Sequence, residues 1–258
     1  MKNENKKIYK NIKINNFKIN YIFKERKKNG PKISIIFLSG YKSDMKGTKA
    51  RFIDKLSNNY GFEYLRFNYS GHGSSEGNLE ERTISSWLDE SLFLIKKITK
   101  YPVILIGSSM GGWISLLIAI KLKSKIKGII AIAAAPDFTK KLINNLTPEE
   151  KKVYIKKKFI SLASEYNDSK YIFNSAFIED AKNNYVLKNQ IYLPSRLVLL
   201  YGTSDTAVNL NDQLKILKYF DFKETRLSIS KGSDHRMSSK KDLVLLDREL
   251  GNMIRDSI

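Results

Sequence analysis

Residues 107–111 carry the pattern Gly-Ser-Ser-Met-Gly, whose central serine has the spacing of a reactive nucleophile. A short apolar run, residues 103–106, precedes it and a helical pattern, residues 110–122, follows it. On a strand–turn–helix of this kind the serine occupies a tight turn, and its oxygen projects above the sheet. The segment lacks the lysine of a phosphate-binding loop and the spacing of a dinucleotide fingerprint. We therefore predict Ser109, rather than the adjacent Ser108, as a nucleophile that needs a neighbouring base.

The chain contains only two histidines, so the choice of that base is narrow. His72 lies in a glycine-rich turn before the serine, and His235 directly follows the last predicted strand. Enzymes with this serine turn have the chain order Ser, then Asp or Glu, then His. We predict His235 as the general base and expect His72 to shape a loop at the border of the site.

The acid that orients the base should lie just past a strand, between the serine and the histidine. Asp205 fits this position, since it follows the predicted strand 196–201. Asp137 follows the preceding strand and remains the alternative acid. Asp234 is next to the histidine in the chain, and we expect it to be structural. Asp205 is the predicted acid of a Ser-His-Asp catalytic triad.

Such a triad also needs two backbone N–H groups directed at the oxygen that becomes negative. One belongs to the residue after the nucleophile, Met110, and the other to the loop after an early strand. Here that loop is Ser39-Gly40-Tyr41, in which the glycine allows a tight turn. We predict the N–H groups of Tyr41 and Met110 as an oxyanion hole. This chemistry calls for no cofactor and no metal ion.

Short β-branched runs alternate with helical patterns, which is typical of an α/β fold with a mostly parallel central sheet and helices on both faces. The predicted strands are 33–38, 62–67, 103–106, 128–132, 196–201 and 225–229. The predicted helices are 46–58, 84–99, 110–122, 209–220 and 239–254. Residues 8–23 alternate apolar and polar around Asn15-Asn16, which predicts an antiparallel hairpin leading into the sheet.

Residues 137–192 break this alternation, because they show charged helical segments and aromatic side chains but no strand-like run. The segment is too long for a plain crossover between two strands. We predict a single domain, residues 1–258, with residues 137–192 inserted as a helical lid. Ligands bind beyond the carboxyl ends of the strands in such sheets, so we expect the lid to roof an acyl pocket. Its aromatic residues include Phe159, Tyr166, Tyr171, Phe173 and Phe177.

Composition bears on partners and location. The formal net charge is +20, but the lysines are scattered and no nucleic-acid-binding signature accompanies them. We expect a solvated basic surface and no nucleic-acid partner; a functional basic face is the alternative. No apolar run is long enough to span a membrane, and the polar N-terminal residues do not look like a secretory signal. With no cysteine in the chain, we expect a cytoplasmic protein, a monomer or a weak homo-oligomer.

Four segments resemble one subgroup of the α/β-hydrolases, the family of α/β-hydrolase domain-containing protein ten. Residues 39–50 (SGYKSDMKGTKA) are similar to its G-[YF]-x-S-D-M-x-G-T-K-A segment, and residues 66–75 (RFNYSGHGSS) to its R-F-D-Y-S-G-x-G-S-S. Residues 107–113 (GSSMGGW) and 233–237 (SDHRM) match as well. Asn68 departs from the Asp that the family often has. The family includes acyl-glucuronide esterase and palmitoyl-protein thioesterase activities, so the resemblance implies the α/β-hydrolase fold and hydrolysis of an ester or thioester.

We therefore expect a serine hydrolase that cleaves a carboxylic ester or thioester in a small-molecule or acylated substrate, through an acyl-enzyme. A peptidase or lipase of the same fold is the alternative, because these enzymes have the same triad. A former hydrolase that now serves as a binding module is a further alternative, against which the complete Ser-Asp-His set argues.

Overall fold

The computed structural model of the 258-residue chain describes residues 9–163 and 170–257. It contains ten strands: β1 (Lys10–Ile14), β2 (Phe17–Lys24), β3 (Ser34–Leu38), β4 (Glu63–Phe67), β5 (Val103–Ser108), β6 (Ile126–Ile132), β7 (Phe159–Ala163), β8 (Lys170–Asn174), β9 (Ile191–Gly202) and β10 (Phe220–Ser230). Eight of them form one sheet in the order β1-β2-β4-β3-β5-β6-β9-β10. The strands from β4 to β10 in this order are parallel, and the hairpin β1–β2 adds antiparallel pairs at one edge.

Helices cover both faces of this sheet, as the alternating pattern predicts. They are α1 (Thr48–Tyr60), α2 (Ile84–Ile98), α3 (Met110–Lys121), α4 (Phe138–Asn144), α5 (Pro148–Lys157), α6 (Ser175–Asn183), α7 (Leu210–Tyr219) and α8 (Lys240–Arg255). Residues of α2, α3, α6 and α7 belong to the hydrophobic core on one face, and those of α1 and α8 to the core on the other. Every residue of β3, β4 and β5 is buried, which explains the apolar runs of β3 and β5, while β4 also buries Glu63 and Arg66. Among the described residues, no helix is long and apolar enough to cross a membrane.

The N-terminal hairpin turns at the predicted pair of asparagines. Asn15 and Asn16 have φ values of 46° and 71°. Two successive residues in the left-handed region suit the tight two-residue turn that matches strand twist, and asparagine tolerates this conformation better than most residues. The hairpin prediction is confirmed, although its first residue, Ile8, lies outside the described residues.

Strand β9 begins at Ile191, five residues before the predicted start at Arg196. Pro194 lies in the added stretch, and proline in a central strand would remove a ladder hydrogen bond. The register with β6 begins only at Arg196, whereas β10 pairs from Ile191 onward. The early part of β9 therefore has a ladder on one side, where proline is tolerated.

The segment 137–192 is not purely helical, and the expectation that it lacks strands is wrong. It contains α4, α5 and α6, but also an antiparallel pair in which β7 runs beside β8. Each of these strands has five residues and is only partly buried, so neither shows the continuous buried run that predicts β3. Residues 164–169, with the aromatic residue Tyr166, lie outside the described residues.

Candidate active site

Ser109 occupies a strained turn at the carboxyl end of β5. Its φ and ψ are 55° and −117°, a conformation that costs a side-chain-bearing residue about 1–3 kcal/mol. Backbone hydrogen bonds stabilise it: its N–H donates to the Ile132 carbonyl at 2.9 Å, and its own carbonyl accepts from Gly112 and Ala135 at 2.9 and 3.2 Å. Ser108, by contrast, is the last residue of β5 and only 9% exposed. Of the two serines, Ser109 has the backbone of a nucleophile turn.

The glycines on either side of this turn allow a close approach between α3 and the sheet. A Cβ on Gly107 would lie 2.3 Å from the carbonyl oxygen of Gly111 and from Ser115 Oγ. A Cβ on Gly111 would lie 2.1 Å from the carbonyl oxygen of Leu38, at the end of β3. Any larger residue would push α3 away from the strands, so the glycines of the motif have a packing role.

The structure brings the predicted nucleophile, base and acid into one hydrogen-bonded chain. His235 Nε2 lies 3.0 Å from Ser109 Oγ, and His235 Nδ1 lies 2.8 Å from Asp205 Oδ2. Because a carboxylate only accepts, Nδ1 carries the proton and Nε2 is free to accept from the serine hydroxyl. Asp205 Oδ1 accepts the N–H groups of Ala207 and Val208, each at 2.9 Å. The carboxylate is fully buried, so its direction is fixed.

Asp137, the alternative acid, and Asp234, which was expected to be structural, are both engaged elsewhere. Both carboxylate oxygens of Asp137 accept backbone N–H groups at 2.9 Å, one from Val186 and one from Leu187. Burial raises the pKa of Asp137, and these two hydrogen bonds act in the opposite direction. Asp234 Oδ1 accepts the N–H of Met237 at 3.1 Å within its own loop. Both residues therefore have structural contacts that account for their burial or position.

The two predicted oxyanion donors lie beside the nucleophile. Met110 is the first residue of α3, so its N–H has no acceptor within the helix and lies at the positive end of the helix dipole. A Cβ built on Gly40 would be 3.4 Å from Ser109 Cβ, which places the Gly40-Tyr41 turn directly against the serine. The Tyr41 hydroxyl donates to the carbonyl of Ile172 in β8 at 2.9 Å. Burial, with smaller effects from nearby acidic groups, raises the pKa of Tyr41, so the phenol remains a donor.

Two residues of the loop after β4 bind the chain that directly follows the oxyanion loop, residues 39–41. His72 Nε2 lies 3.2 Å from the N–H of Lys42, directly after Tyr41. Asn68 is fully buried; its Oδ1 accepts the N–H of Met45 at 2.8 Å, and its Nδ2 donates to Ser74 Oγ at 3.3 Å. An amide can accept and donate at once, which accounts for an asparagine here.

Lys49 is a site residue that residue-type reasoning missed. Its Nζ donates to the carbonyl of Arg236 and lies 3.4 Å from Ser238 Oγ, so it connects α1 to the loop that carries His235. Burial lowers the pKa of Lys49 to about 8, and the nearby acidic groups partly offset this. The only available signal was its place within the family-like segment 39–50.

A cavity of about 1050 Å³ opens above the triad, between the carboxyl edge of the sheet and residues 137–192. Ser109 and His235 line it together with Tyr41 and Met110, the predicted oxyanion donors. Much of its apolar lining comes from the inserted segment. The inserted segment contributes the apolar side chains of Phe138, Leu142, Leu146, Leu162, Tyr171 and Phe173, and the cationic side chains of the lining are Lys42, Lys49, Lys141 and Arg236.

A mostly parallel sheet with a serine on a strained turn between β5 and α3 defines the class of protein: this is the α/β-hydrolase fold. Residues 29–190 match the family model described as serine aminopeptidase, S33, and the chain belongs to this family of serine hydrolases. Two solved structures match this chain along nearly its whole length. A protein from Agrobacterium vitis S4 matches with a TM-score of 0.90 and 32% identity over 96% of this chain and 98% of its own. Mouse α/β-hydrolase domain-containing protein 10 matches with a TM-score of 0.89 and 30% identity, over 96% of this chain and 99% of its own.

The resemblance seen in the four sequence segments is confirmed along most of the chain. The human protein named palmitoyl-protein thioesterase ABHD10, mitochondrial, is 34% identical over 236 residues, which cover 91% of this chain and 76% of the relative. The bovine protein of the same name is 33% identical over the same length. The chain is thus an enzyme of the serine hydrolase type, similar to this subgroup.

Proposed function

We propose that the protein hydrolyses carboxylic esters and thioesters through an acyl-enzyme on Ser109. The observation that carries this proposal is the aligned chain from Ser109 Oγ through His235 to Asp205, at the base of a largely apolar cavity. A serine hydroxyl with an imidazole nitrogen at 3.0 Å and a carboxylate behind that imidazole is arranged for acyl transfer.

In the first half of the reaction, Ser109 Oγ attacks the acyl carbon while His235 Nε2 takes the hydroxyl proton. The negative oxygen of the tetrahedral intermediate accepts hydrogen bonds from the N–H groups of Tyr41 and Met110. His235 then returns its proton to the departing alcohol or thiol, and the acyl group remains on the serine. Asp205 keeps the imidazole in the tautomer that these transfers require and stabilises its positive charge.

In the second half, His235 takes a proton from water, which attacks the acyl-enzyme. The second tetrahedral oxygen uses the same two N–H groups, and its collapse releases the carboxylic acid. Ser109 recovers its proton from His235. No electrons are transferred to an acceptor, and every proton moves through one imidazole, so these steps need no cofactor or metal ion.

The cavity supports an acylated substrate. Its apolar wall, which includes Leu142, Leu146 and Phe173, can bury the hydrocarbon part of an acyl group. The name of the human relative, a palmitoyl-protein thioesterase, supports an S-acyl substrate for this chain as well. Either a small ester or an acylated larger molecule presents the same reacting carbonyl.

An aminopeptidase is the second candidate, because the matching family model is described as serine aminopeptidase. An aminopeptidase must accommodate a positively charged substrate N-terminus. Four cationic side chains line this cavity, Lys42, Lys49, Lys141 and Arg236, against two carboxylates, Asp44 and Glu150; of the cations, Lys141 is paired with Asp212 at 3.1 Å. This balance is unfavourable for a cationic substrate end and leaves the ester or thioester as the better proposal.

We further propose that the enzyme acts in the cytoplasm, as a monomer or weak homo-oligomer without a nucleic-acid partner. A chain of 258 residues with no cysteine is suited to a reducing compartment, and the cationic residues follow no nucleic-acid-binding motif. Light scattering during size-exclusion chromatography tests the oligomeric state. A salt titration with duplex DNA and RNA tests the absence of a nucleic-acid partner.

The catalytic proposal is tested by labelling and by substitution. A fluorophosphonate probe should label the wild type, and Ser109→Ala should lose the label and lower kcat for p-nitrophenyl acetate by roughly 10⁴-fold or more. Ser108→Ala is the matched control and should keep both the fluorophosphonate labelling and the wild-type kcat. A panel of p-nitrophenyl esters, acyl thioesters and aminoacyl anilides should show turnover of the first two classes. Turnover of the anilides alone would favour the peptidase, and near-normal activity in Ser109→Ala would reject the nucleophile.

A further inference from the structure

His72, the second histidine of the chain, has no part in the steps above, yet it is buried at the border of the same cavity. It is 2% exposed and lies in the loop after β4. Its ring makes edge contacts with Trp87 and Tyr69, with centroids 5.0 and 5.4 Å apart. A polar ring in such a place needs partners for its nitrogen atoms.

Both ring nitrogens have a backbone partner, and the partners fix the protonation state. Nδ1 faces the carbonyl oxygen of Ser70 at 3.3 Å, and Nε2 faces the backbone N–H of Lys42 at 3.2 Å. A carbonyl only accepts and an N–H only donates, so Nδ1 must carry the proton and Nε2 must be bare. Burial lowers the pKa of His72 to about 4, with a small opposite effect from the Ser70 carbonyl. The imidazole is therefore neutral at neutral pH, as both contacts require.

Ser70 is itself hydrogen-bonded to side chains of α2. Its N–H and its hydroxyl both donate to the Glu90 carboxylate, at 2.9 and 2.5 Å. Its carbonyl also accepts from Trp87 Nε1 at 3.1 Å. A continuous set of hydrogen bonds thus runs from the helix through Ser70 and His72 to Lys42.

Lys42 is the residue after the proposed oxyanion donor, and its backbone is strained. Its φ is 55°, in the left-handed region that a side-chain-bearing residue adopts only when its surroundings impose it. The bond to His72 fixes the Tyr41–Lys42 peptide plane, and thereby the orientation of the chain that presents the Tyr41 N–H. Gly40, one residue earlier, lies against Ser109, so a small rotation here changes the position of the donor relative to the reacting carbonyl.

We propose that His72 is a positioning residue: by accepting the backbone N–H of Lys42 it keeps the Tyr41 N–H directed at the oxyanion. This inference rests on the proposed function, because it assigns a role in the same acyl transfer. His72 does not contact the reacting atoms. Its loss should therefore affect the tetrahedral state more than the binding of substrate.

The test compares His72→Phe with His72→Gln. Phenylalanine keeps the ring and its aromatic contacts but removes the acceptor, whereas the glutamine amide oxygen can again accept from Lys42. We expect His72→Phe to lower kcat for p-nitrophenyl acetate by roughly 10- to 100-fold, less than the loss from deleting an oxyanion donor, with KM changed less than about 2-fold. His72→Gln should recover part of this loss. Tyr69→Phe, which changes the same aromatic cluster without touching Lys42, should keep wild-type kcat.

A transition-state analogue separates positioning from general damage. A short-chain trifluoromethyl ketone adds Ser109 Oγ to its carbonyl and places an oxyanion in the hole, whereas the corresponding alcohol cannot. His72→Phe should lower the affinity for the ketone by about the same factor as it lowers kcat, and it should leave the affinity for the alcohol unchanged. If His72→Phe lowers Tm but leaves kcat and ketone affinity at wild-type values, His72 is only structural and the inference is wrong. A wild type without esterase activity or fluorophosphonate labelling would instead overturn the proposed function and this inference together.

A measurement on the unsubstituted ring covers the case in which His72→Phe does not fold. Long-range ¹H–¹⁵N spectra at neutral pH identify the protonated nitrogen of each histidine, and a His235→Ala sample leaves His72 as the only one. The expected result is a neutral ring protonated at Nδ1. An imidazolium or a ring protonated at Nε2 could not accept from Lys42 and would overturn the inference.

Discussion

Asp205 divides its two carboxylate oxygens between the histidine and its own turn. Oδ2 faces His235 Nδ1, and Oδ1 accepts the N–H groups of Ala207 and Val208. An asparagine at this position must turn its oxygen to one side and its NH₂ group to the other. Two N–H donors on the turn side outnumber one on the histidine side, so the oxygen should remain with the turn.

The consequence for Asp205→Asn is a histidine in the wrong tautomer. The amide NH₂ would face Nδ1, which must then be bare, and the proton moves to Nε2, where it blocks acceptance from Ser109. We expect kcat for p-nitrophenyl acetate to fall by roughly 10⁴-fold with an unchanged circular dichroism spectrum.

Asp137→Asn is the matched control for this experiment. Its carboxylate accepts two N–H groups at the end of the inserted segment, and the substitution leaves one of them facing an NH₂ group. It should lower the free energy of unfolding by about 1–3 kcal/mol and keep kcat. The reverse pair of phenotypes would assign the catalytic acid to Asp137.

At the residue scale, the sequence predicts side chains whose type and order are restricted by chemistry. Ser109, Asp205 and His235 could be chosen because few residues of the right type occur in the right order, and the structure brings them together. Contacts made by backbone atoms carry no such signal. The Lys42 N–H meets His72 across 30 positions, and the Tyr41 hydroxyl meets the Ile172 carbonyl across 131. Neither could be predicted without the fold, because almost any residue type supplies the backbone partner.

At the scale of elements, the distance between α3 and β3 determines the site. Met110 begins the helix and the oxyanion loop follows the strand, so the separation of the two elements sets the separation of the two proposed donors. Gly111 allows this approach, since its Cα faces the Leu38 carbonyl without room for a Cβ.

Gly111→Ala should therefore damage stability and activity together. Overpacking of this kind costs about 1–3 kcal/mol, and displacement of the helix should lower kcat beyond the effect on folding. Chemical denaturation and kcat on the folded fraction measure the two effects. Gly47→Ala is the control, because a Cβ there would meet its nearest neighbour at 3.5 Å and the backbone φ is −58°. Equal, small effects of both substitutions would show that the α3–β3 approach tolerates adjustment.

Sequence patterns predicted the central elements well and the inserted segment poorly. The eight-stranded sheet and the helices α1, α2, α3, α7 and α8 follow from buried apolar runs, from strand alternation or from a helical period. The pair β7–β8 was missed, since its two short strands are only partly buried and show none of these patterns. The predicted start of β9 was wrong because of Pro194. Proline is tolerated at this position because this part of β9 pairs with β10 but not with β6. Such a pairing is a property of the assembled sheet.

At the scale of the whole molecule, the inserted segment is joined to the body of the enzyme at several points around the cavity. Trp113 of α3 donates its Nε1–H to the carbonyl of Asn184 at 3.1 Å, and the backbone N–H of Ser85 in α2 donates to Asp180 of α6 at 2.9 Å. The Tyr41 hydroxyl adds a bond to β8, beside the proposed oxyanion hole. These contacts attach the described part of the inserted segment to the body of the enzyme; the single domain of residues 1–258 stays a prediction.

This arrangement restricts how acyl selectivity can be tested. Exchanging the whole segment would also remove the Tyr41 bond to β8 and so disturb the oxyanion loop. A change on α4 avoids this, because α4 lines the cavity without touching that loop's hydroxyl contact. Leu142 faces the cavity from α4, whereas Lys140, two residues earlier, is exposed and lies outside its lining.

Leu142→Trp should shorten the space available to an acyl chain. We expect kcat/KM for a dodecanoyl ester or thioester to fall by roughly 10- to 100-fold, since a long chain can no longer bury all its carbons at about 0.8 kcal/mol each. The acetate ester needs none of that space and should react within about 2-fold of the wild type. Lys140→Trp adds the same side chain to the same helix outside the cavity, and both esters should keep their wild-type kcat/KM. Equal losses for the two esters in Leu142→Trp would indicate damage at the triad, and no loss for either would place the acyl chain elsewhere than under α4.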